Sequence, residues 1–171
     1  MILGLTIENF TLLHVVISLV AIVTGIIVLF GMIGGRFLPR LSGIFLATTV
    51  LTSLTGFLFP ITAFTPALAF GVLSSIILAI ALVAIYAFRL SGIWRPIYVV
   101  TSIAALYLNV FVLVVQSFQK LEVLQPLAPT QSEPPFAAAQ GAVLVFFLVA
   151  GFLALRRFHP ASPSRPITAA A

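Results

Sequence analysis

FTLLHVVISLVAIVTGIIVLFGM, residues Phe10 to Met32, carries no charge, and its polar side chains are Thr11, His14, Ser18 and Thr24. As an α-helix rising about 1.5 Å per residue, the stretch crosses the roughly 30 Å hydrocarbon layer of a bilayer. A barrel strand would instead alternate polar and apolar residues over about ten positions, and this stretch does not. Four more segments of the same kind follow: Leu41–Phe59, Ala67–Phe88, Ile97–Phe118 and Phe136–Leu155. Each of the five has 19 to 23 residues. In lipid every backbone polar group needs a partner within the chain, which continuous helices supply. The expected fold is an all-α polytopic transmembrane bundle of five helices over residues 1–158. Residues 159–171 are expected to form a disordered cytoplasmic tail.

Composition agrees with this. Of the 171 residues 62% are hydrophobic and 6% charged, against roughly 25% charged in soluble domains. Cysteine and aspartate are absent, which excludes disulfides, thiolate nucleophiles, iron–sulfur clusters and cysteine zinc sites. The net charge of +5 is too thinly spread for a nucleic-acid surface, so no nucleic-acid partner is expected.

The charges are sorted by side. Arg36 and Arg40 follow helix 1, Arg89 and Arg95 follow helix 3, and Arg156, Arg157 and Arg165 follow helix 5. Glu8, Glu122, Glu133 and the lone lysine, Lys120, fall on the opposite side. The positive-inside rule makes the arginine side cytoplasmic and the N-terminus external. The expected location is the bacterial inner membrane, with the arginines against anionic lipid. Turn residues separate the spans: Gly34, Gly35 and Pro39; Pro60 and Pro66; Ser91, Gly92 and Pro96; then Pro126, Pro129, Pro134 and Pro135. Helix 1 lacks a basic lead and a small-residue cleavage site, and is read as a mature helix. Asn9 is read as its N-cap.

Arg40-Leu-Ser-Gly-Ile44 recurs as Arg89-Leu-Ser-Gly-Ile93, and Val50-Leu-Thr-Ser-Leu54 aligns with Val99-Val-Thr-Ser-Ile103 in the same register. The offset links helices 1–2 to helices 3–4, as a duplicated helical hairpin would. Chance matching within a restricted membrane alphabet is the alternative.

Polar groups inside hydrocarbon normally face other helices or a cavity. Helix 2 carries Thr48, Thr49, Thr52, Ser53, Thr55 and Gly56, a face for close helix packing or for a permeation path. On helix 4, Ser102, Asn109 and Gln116 recur every seven residues and share one face. Asn109 lies near the bilayer midplane, as an interhelical bond or a ligand contact. His14 is one turn into helix 1, Gln140 one turn into helix 5, and Gln116 near the outer end of helix 4. Shared depth suggests that His14, Gln116 and Gln140 line one cavity in the outer half of the bundle, beneath the loop Gln119–Pro135. Such a pocket suits a lipophile bearing a carbonyl, because histidine and glutamine donate hydrogen bonds to a quinone oxygen.

A transmembrane haem is disfavoured, since His159 lies past the last helix and Met32 at the wrong end of helix 1. Neither a carboxylate pair nor a nucleophile–histidine–acid set lies within the membrane, so the chain is read as non-catalytic.

The loop Leu127-Ala-Pro-Thr-Gln-Ser-Glu-Pro-Pro-Phe136 is the least generic stretch. It reads as an interfacial segment, a lid over the bundle mouth, or a rigid connector. With the preceding Ala105-Leu-Tyr-Leu-Asn-Val-Phe-Val-Leu-Val-Val-Gln116, it resembles a family of small five-helix bacterial inner-membrane proteins carrying a LAPTQSEPPF-type loop. The likeness runs through all five spans. It implies the fold and the membrane, and it brings no site residue with it. Helix 1 is also similar to multi-helix bacterial proteins associated with haem binding, though the histidines for that are missing here.

The expected function is therefore that of an accessory or assembly subunit of a membrane complex, or of a binder of a lipophilic ligand, quinone or lipid, at the outer face. Partners would be membrane lipids and other membrane-protein subunits or further copies of the chain. A small oligomeric transporter or channel is the alternative.

Overall fold

The computed structural model describes residues 1–60 and 66–160. Residues 61–65 of the second loop, and all of the expected tail but 159 and 160, lie outside the described residues. Five helices follow in order: α1 (Ile7–Ile33), α2 (Pro39–Phe57), α3 (Pro66–Leu82), α4 (Trp94–Lys120) and α5 (Pro134–Arg157). A π turn, Val83–Ala87, continues α3, and all five are long and apolar enough to cross a membrane.

The helices run past the apolar segments because their ends lie in the polar interface, where arginine, proline and glutamine are admissible. Trp94, Arg95 and Pro96 make the first turn of α4, and α2 and α5 each open on proline, whose fixed φ and missing N–H suit that position. α2 instead stops early, at Phe57. Asn9, expected to cap α1, lies inside the helix. The cap is Thr6, whose Oγ1 accepts the Asn9 N–H at 3.2 Å, as a capping side chain does for the third helical residue. At the other end of α1 the chain reverses through Gly35, at φ +70°. That left-handed conformation favours glycine.

The two copies of the repeated pentapeptide differ in backbone conformation. Arg40–Ile44 lies in the first turns of α2. Its sequence twin is the turn before α4, with Arg89 at φ 48°, Leu90 at φ 58° and Gly92 at φ 53°. One pentapeptide takes two conformations because the second copy follows the π turn, where the Leu90 N–H closes back on the Ala84 carbonyl at 3.0 Å.

α4 is the axis of the bundle and meets all four other helices, while α1 and α2 form a hairpin beside it. Gly25 is the tightest point. A Cβ there would stand 2.6 Å from Leu106 Cδ1 and 2.8 Å from Phe45 Cδ2, so glycine lets α2 and α4 close on α1 together. The arginine-bearing end is tied by Phe158, fully buried just past α5. Its ring lies against Phe37 and Tyr98, and its carbonyl accepts from Arg95 Nη1 at 2.6 Å. A cation at the carbonyl end of a helix is favourable by about 0.3–1 kcal/mol, more when partly buried.

Candidate functional site

α1 and α2 run antiparallel, so the N-terminal part of α1 faces the C-terminal end of α2. There His14 Nδ1 meets Thr55 Oγ1 at 2.7 Å. Phe59, just beyond α2, packs edge-on against the His14 ring at 5.4 Å and against Phe10 at 5.1 Å between centroids. Gly56 lies beside the ring, and a Cβ there would be in ordinary contact with His14 Cε1 at 3.7 Å. His14 is half-buried, and Nε2 makes no hydrogen bond among the described residues. Nor is Nε2 among the polar atoms sealed from the surface without a partner.

The other candidates have different neighbours. Asn109 Nδ2 donates to Thr49 Oγ1 across the α2–α4 seam at 3.5 Å. Gln140 Nε2 donates to the Phe111 carbonyl across the α4–α5 seam at 3.1 Å, and its Oε1 is buried with no partner. Gln116 is half-buried and unbonded among the described residues. Gln140 engages α4 five residues, about 7.5 Å, below Gln116. His14, Asn109 and Gln140 are thus each bonded across a different seam, and Gln116 is bonded across none among the described residues.

The threonine face of α2 spends its hydroxyls on its own helix. Thr48, Thr49, Thr52 and Thr55 each donate to the carbonyl four residues back, at 2.7 to 2.9 Å. That geometry fits a packing surface better than a wet path. An open apolar groove of about 320 Å³ lies between α1, α4 and α5, lined by Ile26, Val110, Ala142, Val143, Phe146 and Phe147. Ile26 is twelve residues beyond His14, about 18 Å along α1, so the groove and the histidine are separate features.

The α4–α5 loop is ordered by its own carboxylate. Glu133 Oε1 accepts from the Thr130 N–H at 3.1 Å and hydroxyl at 2.8 Å, and Oε2 from the Ser132 N–H at 3.0 Å. Desolvation, the largest single influence, pushes the Glu133 carboxyl up. Hydrogen bonds from the Thr130 hydroxyl and from the N–H groups of Glu133, Thr130 and Ser132 outweigh it and hold the carboxyl below its usual range. A 3₁₀ turn, Gln125–Leu127, packs this loop against α4. Leu121, Val123 and Leu127 are exposed.

Among the described residues no three His, Asp, Glu or Cys side chains gather closely enough to hold a metal. Thr55 is the participant that sequence reading missed. It was visible as one of several threonines, and only the register of the hairpin singles it out as the partner of His14.

Comparison with known proteins finds no matching family model, curated protein or solved structure.

Proposed function

We propose that the protein is a non-catalytic integral membrane protein that binds a lipophilic ligand, a quinone or a lipid, at the outer face of the bacterial inner membrane. In this reading it serves a larger membrane complex as an accessory or assembly subunit. The observation that carries the proposal is His14: a polar ring held in place by Thr55 and packed against Phe59, which Phe10 backs, with one nitrogen unengaged in a largely apolar bundle. A polar group fixed among apolar walls is the usual means of orienting a small lipophile. The groove beside Ile26 and Phe146 adds a slot that accepts hydrocarbon without a polar demand.

The test is native mass spectrometry, with an absorption spectrum, on protein purified in mild detergent. The wild type should retain a bound lipophile, and His14→Ala should lose most of it while its helical circular dichroism is unchanged. Equal occupancy in both proteins would remove the proposal's basis.

A further inference from the structure

We infer that the ligand at His14 is a hydrogen-bond donor, so that the site takes a hydroxyl-bearing lipophile such as a hydroquinone rather than a quinone carbonyl. The inference rests on the reading of His14 as a ligand contact and fixes its polarity. The reasoning follows the protons. The Thr55 hydroxyl has one hydrogen, and Oγ1 stands 2.7 Å from the Leu51 carbonyl, which only accepts. The hydrogen therefore points to Leu51, and Oγ1 meets His14 Nδ1 at 2.7 Å with a lone pair. Nδ1 must supply the proton of that bond. In the neutral ring one nitrogen is a donor and the other an acceptor, which leaves Nε2 bare. The nitrogen free to meet a ligand is thus the one that cannot donate. Phe59 stands edge-on to the His14 ring and is backed by the buried Phe10, an aromatic wall that suits a flat aromatic head group.

His14 and His159 are the chain's two histidines, and His159 is exposed beyond α5. A His159→Gln protein with labelled histidine therefore reports on His14 alone by nitrogen NMR. The probes are a short-chain benzoquinone, its hydroquinone kept anaerobic, and a monoacylglycerol as a non-aromatic hydroxyl donor. Support is a spectrum with Nδ1 protonated and Nε2 bare, in which the Nε2 signal moves with the hydroquinone and not with the quinone. A response to monoacylglycerol equal to that for the hydroquinone keeps the donor rule and overturns the aromatic preference. The opposite tautomer, or a response to the quinone alone, overturns the inference while leaving a ligand at His14. Silence with all three probes overturns the ligand reading itself. Thr55→Val should erase the preference for hydroquinone, from roughly tenfold towards none, and Thr55→Ser should keep it.

Discussion

The amide of Gln140 has two N–H donors and an oxygen that accepts twice, and α4 offers it only a carbonyl. Nε2 takes the Phe111 oxygen, and Oε1 is left buried without a donor. Phe111 lies well inside an unbroken helix, so its carbonyl has a backbone partner already, and the contact is an extra bond on a satisfied acceptor. An unpaired buried acceptor costs about 1–3 kcal/mol, whereas a typical hydrogen bond returns about 1. Gln140→Leu, close in volume, should leave the thermal stability in detergent unchanged or raise it by about 1 kcal/mol. A loss above about 2 kcal/mol in thermal denaturation would mean that Oε1 has a bound partner in solution. His14 is the opposite case. Its engaged nitrogen sits on a hydroxyl that is itself committed, so that one bond decides what the other nitrogen can do.

At the scale of elements, register explains both what was legible in the sequence and what was not. In the α1–α2 hairpin the numbers of facing residues total about 69 or 70: Phe10 with Phe59, His14 with Thr55, Gly25 with Phe45. In the α4–α5 pair they total about 254, as in Phe118 with Phe136 and Tyr107 with Phe147. An antiparallel pair of helices must behave in this way, since each helix rises equally per residue. The rule makes His14 and Thr55 partners, and it sets Gln116 opposite Ala138 rather than Gln140. Equal distance from a helix end, the measure by which His14, Gln116 and Gln140 were grouped, ignores both rotation and the different overhang of each helix. The five spans themselves were readable because hydrocarbon admits no long polar run. Their ends were not, because Thr6, Arg95 and Pro134 are as acceptable in an interfacial helix as in a loop. Gly25 tests the packing that register imposes. Gly25→Ala should lower stability by about 1–3 kcal/mol through contact with Phe45 and Leu106, despite alanine's better helix propensity. Gly141→Ala on α5, where a Cβ meets nothing within 4 Å, is the control and should be neutral or slightly stabilising.

At the scale of the molecule, charge and packing divide the two ends. Six of the seven arginines lie on described turns and helix ends at one end, and the three glutamates lie at the other. Arg95 is the exception in use, because its guanidinium closes the last turn of α5 through Phe158. Arg156 is exposed and its guanidinium lies over the Phe152 ring at 4.6 Å, while Arg36, Arg40, Arg89 and Arg157 are exposed and can meet anionic head groups at about 1 kcal/mol each. Moving such a set across a bilayer is costly, so the arginine end should remain where the chain is made, and His14 and the Glu133 loop should face outward. The cysteine-free sequence allows this to be read directly, because any introduced thiol is the sole target. Ser132→Cys, in the exposed α4–α5 loop, should react with a membrane-impermeant maleimide in intact cells. Ser91→Cys, in the exposed turn before α4, should react only after permeabilisation. The reverse pattern would place Thr55, Phe59 and the open edge of His14 on the cytoplasmic side, and the ligand would then have to arrive from the inner leaflet.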